Sequence, residues 1–140
     1  IWQGLRRYVE DSLVIKDWFE LTLAQNLLLD GMSYPLMYQR FDQQLGEEGA
    51  GDVSMLTEFM RDWYAESTRW VDAMLKVVLA ESADNHAQIQ TWVDAWEPRA
   101  YAALQPLAEA ATGLAALDDV RAALAARLHK LGLRSPGVPA

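Results

Sequence analysis

A seam of mostly apolar residues at steps of three or four positions runs through the middle of the chain. Steps of this size place side chains on one face of an α-helix. The sequence therefore predicts a long helix that is capped by Asp52 or Ser54 and runs to about Glu81. The members of the seam are Met55, Phe59, Trp63, Ser67, Trp70, Met74 and Val77.

A second long helical pattern precedes this one, from about Leu13 to Leu45, and the turn Gly46–Gly51 separates the two. Pro35 lies inside the pattern. Because proline lacks an N–H donor and clashes with the preceding turn, we expect a kink between Gly31 and Pro35. One ridge of this helix is expected to carry Val14, Trp18, Leu21, Gln25, Leu28 and Met32.

Caps and breaks predict further helices on both sides of this pair. A short helix opens the chain and ends at Asp11–Ser12, which is predicted to cap the next helix. Asn85 and Gln88 resemble a capping box, which would open a third long helix. We expect Pro98 to interrupt that helix and Pro106 to impose a second bend.

The chain ends in one more predicted helix. Thr112–Gly113 is expected to end the third helix, Asp118–Asp119 to cap the last one, and Gly132 to stop it. No segment shows the period of two that is typical of strands, so the fold class is all-α. We assign residues 1–132 to one helical domain and residues 133–140 to a flexible tail.

Composition excludes several classes of function. The formal net charge is −8, with 20 acidic and 12 basic residues, and basic residues do not cluster as a nucleic-acid surface requires. There are no cysteines, which excludes disulfides, thiolate nucleophiles and cysteine-ligated zinc. No apolar run is long enough for a membrane span, and no signal peptide is visible. We expect a cytoplasmic protein without nucleic-acid or membrane partners.

The two histidines of the chain do not form the metal-binding motif of helical bundles. A carboxylate-bridged di-iron site in a ferritin-like four-helix bundle uses Glu-x-x-His pairs and further carboxylates. His86 and His129 are the two histidines, and the residues three positions before them are Ala83 and Ala126, which cannot ligate a metal. We interpret both histidines as surface residues and expect no metal in this chain.

Two other polar residues lie within the long helical patterns. Asp30 and Arg69 are expected on facing helices, where they could form a buried ion pair. Alternatively, Arg69 is exposed, and the sequence does not decide between the two. Six tryptophans are many for 140 residues, and aromatic residues of this size supply core or interface area.

Several segments resemble the β subunit of bacterial multicomponent phenol and toluene monooxygenase hydroxylases. The resemblance covers nearly the whole chain in order, but it extends only over the C-terminal half of such a subunit. The first long helical pattern and the seam helix both contribute to it. The segments are Trp18–Asp30, Met32–Leu36, Glu66–Ala73, Ala80–Asn85 and Trp92–Ala100.

The resemblance implies a ferritin-like helical bundle, or half of one, with long kinked antiparallel helices. It implies an (αβγ)2 hydroxylase in which the α subunit carries the di-iron centre, and regulatory and reductase components bind transiently. The β subunit is then structural and non-catalytic. Asp30, Ser67 and Trp70 would stand at degenerate metal-site positions, with Trp70 filling the volume of the metal cluster. Core or interface roles are expected for Trp18, Trp63, Trp70, Trp96 and Arg69.

Two alternatives differ in class from a structural subunit. An all-α ligand-sensing or dimerisation domain of a bacterial regulator would suit kinked helices with many aromatic residues around an apolar pocket. A ferritin-like oxidase with an unusual ligand set would be an enzyme in its own right. The absence of any Glu-x-x-His motif argues against the oxidase.

Overall fold

The fold consists of helices, and the α-helices are numbered α1–α7 in chain order. A computed structural model describes residues 1–49 and 51–138, with side chains described except at 51–54 and 56. The predicted caps Asp52 and Ser54 therefore lie outside the described side chains. No strand occurs in the described ranges, which confirms the all-α prediction. The α-helices are α1 (Gln3–Ser12), α2 (Trp18–Thr22), α3 (Asp30–Pro35), α4 (Asp42–Glu47), α5 (Gly51–Glu81), α6 (Ala83–Ala111) and α7 (Leu114–Lys130).

Helices α2, α3 and α4 form one composite helix over residues 18–47, because π-helical segments join them. These segments are Leu23–Leu29 and Leu36–Phe41, and the second follows Pro35 directly. The backbone thus passes Pro35 in helical geometry, and the widened turns lie on both sides of the region where we predicted a kink. The composite helix begins later than predicted, because Asp17 caps it by accepting from the Phe19 N–H at 2.8 Å.

The boundaries of α6 and α7 differ from two predictions. Ser82 caps α6 by accepting from the Asn85 N–H at 3.0 Å, so the predicted capping box at Asn85 lies inside the helix. Pro98 and Pro106 are both accommodated within α6. Gly113, at φ +83°, ends α6 and directly precedes α7, so the predicted cap at Asp118–Asp119 is wrong.

The core lies between the composite helix, α6 and α7. Helix α5 adds only two fully packed side chains to it, Val71 and Leu75, among those described. The predicted ridge is wrong in its first half, since Val14 and Trp18 are exposed. The late helix start and the π turns rotate other positions inward. The buried side chains of the composite helix are Phe19, Leu23, Ala24, Leu27, Leu28, Leu29, Met32 and Leu36.

An ion pair inside the fold joins α6 to α7. The Glu97 side chain is fully buried, and the Arg121 Nε and NH2 atoms donate to its two oxygens at 2.7 and 3.0 Å. The Arg121 guanidinium also lies 4.0 Å from the centre of the Tyr101 ring. The hydrogen bonds that Arg121 donates to Glu97 raise the pKa of Arg121, so the guanidinium stays charged.

The first residues of the predicted tail are anchored to α6. Leu133 is 1% exposed, and Gln90 clamps the backbone of Arg134 through two hydrogen bonds. Its Oε1 accepts from the Arg134 N–H at 2.8 Å and its Nε2 donates to the Arg134 carbonyl at 3.1 Å. Gly132, at φ +81°, follows the end of α7 as predicted. The anchored segment thus extends at least two residues past the predicted domain boundary.

Candidate interaction surface

One side of α5 carries a stripe of exposed apolar side chains. Its positions are four and seven residues apart, so they share one helix face. We call this set the α5 stripe. It comprises Met55, Phe59, Trp63, Trp70 and Val77. The seam that predicted this helix is therefore correct as a helical face, but most of it points outward in this chain.

A groove of about 390 Å³ interrupts the α5 stripe between Trp63 and Trp70. Ser67 lies between the two indoles on α5, and Glu66 lines the groove beside it. Asn26, on the first π-helical segment, contributes the opposite wall. Both long helices therefore build this groove, and its lining combines two aromatic side chains with polar ones.

Asp30 lies one turn beyond the groove wall. The Asn26 Nδ2 donates to Asp30 Oδ2 at 3.4 Å. Burial raises the pKa of Asp30 to about 6, and the hydrogen bond from Asn26 opposes part of this shift. Tyr34 and Tyr64 stack with ring centres 5.3 Å apart, and burial and then the charge of Asp30 raise the pKa of Tyr34.

Arg69 does not pair with Asp30. Its side chain is exposed and pairs with Glu66, one turn earlier on the same helix. Burying both Asp30 and Arg69 would have required desolvating two charges, and the structure avoids that cost. The ion pair that crosses between helices near this region is Arg127–Asp72, at 2.9 Å from Nε to Oδ1. Sequence reasoning missed this pair, as it missed Asn26, Tyr34 and Tyr64.

The four tryptophans singled out from the sequence fall into two groups. Trp96 is 5% exposed, packs edge-to-face on Tyr8 at 5.2 Å, and donates through Nε1 to Glu20 at 2.7 Å. Trp18, Trp63 and Trp70 are 67%, 44% and 55% exposed. Trp96 is therefore a core residue. Trp70 is exposed in this chain because α5 turns that face outward, and its expected place in the volume of a metal cluster stays a prediction.

Comparison with known proteins identifies the family of this chain. The family model for methane, phenol and alkene hydroxylases matches residues 1–82. The chain belongs to this hydroxylase family. It is 73% identical over 135 residues to the phenol 2-monooxygenase oxygenase component DmpL of Pseudomonas sp. strain CF600, covering 96% of this chain and 41% of that protein.

Two further relatives extend this result. The β subunit of the toluene-4-monooxygenase hydroxylase component of Ectopseudomonas mendocina is 32% identical over 99 residues, or 71% of this chain and 30% of that protein. The crystal structure of xenon-pressurised phenol hydroxylase from Pseudomonas sp. OX1 contains a chain that matches with a TM-score of 0.94 and 59% identity. That match covers 98% of this chain and 42% of the other.

These matches confirm the predicted fold and family. The fold is that of a ferritin-like helical protein, and the chain corresponds to the C-terminal part of the hydroxylase components it resembles. The chain spans about two fifths of the length of DmpL and of the matched phenol hydroxylase chain, at 41% and 42%. More polypeptide therefore accompanies the matched part in those relatives.

The donor set at the predicted degenerate positions does not fit a di-iron centre. Asp30 offers one carboxylate, whereas Ser67 and Trp70 offer no iron ligand. Within residues 1–49 and 51–138, no group of three or more His, Cys, Asp and Glu side chains is placed to hold a metal ion. His86 instead contacts the Gly132 carbonyl, with 2.9 Å between Nε2 and the oxygen.

None of the helices in the described ranges is long and apolar enough to cross a membrane.

Proposed function

We propose that this chain is the C-terminal part of a structural, non-catalytic β subunit in a phenol or toluene monooxygenase hydroxylase. It packs against an iron-bearing α subunit within an (αβγ)2 assembly. Regulatory and reductase components bind this assembly transiently. The assembly is cytoplasmic. Aromatic hydroxylation then belongs to the complex, and this chain contributes surface and rigidity.

The observation that carries the proposal is the exposed apolar surface on the two long helices. Trp18 on the composite helix and the α5 stripe both expose large apolar side chains. Contiguous exposed apolar surface marks a protein interaction site, and tryptophan dominates the energetics of such sites. A subunit whose apolar surface is covered in its assembly, in part by its own preceding polypeptide and in part by α, accounts for this surface.

The relatives support the same assignment. DmpL is an oxygenase component, and the Ectopseudomonas relative is a β subunit of a hydroxylase component. The degenerate positions Asp30, Ser67 and Trp70 favour a subunit that leaves the iron to its partner. The proteins matched here favour this reading over a ligand-sensing domain of a regulator.

Co-purification tests the proposal. The full-length chain is expressed with the neighbouring gene products, and the mass and the iron content of each subunit are measured. We expect a complex with two copies of each of three subunits and iron confined to the companion α chain. A solitary iron-free dimer would refute the structural-subunit assignment, and stoichiometric iron in this chain would refute its non-catalytic character.

Two tryptophan variants separate association from folding. Trp18→Ala removes an exposed side chain, so we expect near-normal thermal stability of the isolated subunit with weaker binding to α. Trp96→Ala removes a buried side chain and its bond to Glu20, so it should destabilise the fold by about 3–5 kcal/mol. An unchanged α-subunit affinity in Trp18→Ala would remove Trp18 from the interface.

A further inference from the structure

The groove between Trp63 and Trp70 has a lining that suits a charged side chain better than an apolar one. Ser67 gives it a narrow floor, and the two indoles stand on either side. Asn26 and Glu66 supply polar atoms at the walls. Long basic side chains pack their methylene stems on apolar surfaces and carry charge at the tip, which matches this lining. Indole faces also attract cations.

The charge around the groove is negative and incompletely compensated. Glu66 is engaged by Arg69 on the exposed surface. Arg127 pairs with Asp72 through Nε and keeps a buried Nη1 without a hydrogen-bond partner among the described residues, but it does not line the groove. Among the described side chains, Asn26 is the hydrogen-bond partner of Asp30, at a distance near the long limit for such bonds. Asp30 is thus a partly buried carboxylate that is hydrogen-bonded to one wall of the groove, and no described Lys or Arg lines that groove.

Covering this surface changes the environment of the Asp30 carboxylate. An apolar cover would remove the remaining water from its carboxylate and leave a poorly paired buried charge, which is strongly unfavourable. A cover that brings a cation avoids this penalty. The raised pKa of Asp30 agrees with a carboxylate that lacks a charged partner in the uncovered chain.

The origin of the cover follows from the length of the relatives. About three fifths of the length of DmpL lies outside the part that this chain matches. The matched part is C-terminal, so that additional polypeptide precedes it in the relatives. A helix from that preceding part is covalently linked to this chain, which makes it the occupant with the highest effective concentration.

We propose that, in the full-length subunit, a lysine or arginine on a helix of the same polypeptide inserts between Trp63 and Trp70 and pairs with Asp30. The stem lies over Ser67 and the tip reaches past Asn26. This inference rests on the proposed function only in taking the chain as part of a longer hydroxylase subunit.

The direct test is a cryo-electron microscopy structure of the assembled hydroxylase that contains the full-length subunit. We expect a lysine or arginine of the same polypeptide in the groove, with its nitrogen within hydrogen-bond distance of Asp30. An apolar side chain in the groove, a side chain from the α subunit, or one from a second copy of this subunit would overturn the proposal.

The sign of the change in thermal midpoint caused by one substitution gives an independent test in solution. Asp30→Asn removes the charge at constant shape, so with a cation in the groove it should lower the thermal midpoint of the assembly by about 3 °C or more at pH 7.5. The difference should persist at pH 5, because a cation beside the carboxylate would hold the pKa of Asp30 below the value that it has in the uncovered chain. The titratable side chains whose pKa values Asp30 raises are Tyr8, Tyr34 and Tyr64, and these remain neutral across this range.

The matched control is Asp62→Asn, which removes an exposed carboxylate on α5 that precedes Trp63 in sequence and does not line the groove. It should leave the midpoint unchanged at both pH values. A higher midpoint for Asp30→Asn at pH 7.5 would indicate an apolar cover and overturn the proposal. Failure to co-purify with α would refute the proposed function alone, because the groove of the full-length subunit is still decided by that subunit's own structure.

Discussion

The buried pair Glu97–Arg121 offers the sharpest test of what holds the fold together. Arg121→Met keeps a long side chain of similar volume on α7 and removes its charge. The Glu97 carboxylate is 0% exposed and would lose both hydrogen bonds from the guanidinium. The variant therefore leaves an unpaired charge in the interior without opening a large cavity.

The expected cost follows from this geometry. Breaking a buried ion pair by removing one partner destabilises proteins by about 3–5 kcal/mol. For a chain of this size, that corresponds to a fall of roughly 10 °C in the thermal midpoint. Urea unfolding followed by circular dichroism measures the free energy directly. The double variant with Glu97→Met and Arg121→Met should recover much of the loss, because no buried charge then remains.

Arg99 provides the matched control, because it also joins a carboxylate and an aromatic ring. It pairs with Asp11 and lies 4.2 Å from the centre of the Trp96 ring, but both charged side chains are largely exposed. Arg99→Met should therefore cost about 1 kcal/mol or less. If Arg121→Met were as mild as Arg99→Met, burial would not be the source of the pair's importance, and this reasoning would be wrong.

Three other substitutions, two of them with a matched control, have effects that the structure determines. Asp30→Asn should stabilise the uncovered chain by about 1 kcal/mol at pH 7.5 and have little effect at pH 4, measured by urea unfolding. The sign follows because a folded-state pKa of about 6 makes the folded state lose stability as pH rises through that value. Leu133→Ala should cost about 2–5 kcal/mol in the same assay, whereas Leu13→Ala, on the surface, should cost less than about 0.5 kcal/mol. Gly31→Ala places a Cβ 3.0 Å from a leucine on α7 and should lower the thermal midpoint, whereas Gly46→Ala meets nothing and should raise it slightly.

The sequence predicts the helical class and the α5 face because these depend on local periodicity. Helix starts were less predictable, since several residues near each start can cap. Asp17 takes the cap of the composite helix in place of Asp11–Ser12, and Ser82 takes the cap of α6 in place of Asn85. The π segments around Pro35 were not predicted, because a widened turn leaves the composition unchanged while it rotates the buried face.

The contacts at the groove were beyond sequence reasoning for a different reason. Whether a residue of α5 faces Asp30 depends on the register of two helices, and the pattern predicts both helices without their register. Arg69 illustrates this, because its exposed position one turn from Glu66 excludes the pair with Asp30. The exposure of Trp70 depends in addition on which elements cover α5, and that is a property of the assembly.

Asp30 links the fold of this chain to its assembly, because one substitution is expected to stabilise the uncovered chain and to destabilise the covered subunit. In the uncovered chain the carboxylate is partly desolvated with a weak partner, so removing its charge stabilises the fold. Beneath a cover that carries a cation, the same carboxylate anchors an ion pair, so removing its charge destabilises the assembly. A subunit with this arrangement disfavours its uncovered state at neutral pH and favours the covered one. The change of sign between the two measurements would therefore identify the cover as cationic, independently of which residue supplies the charge.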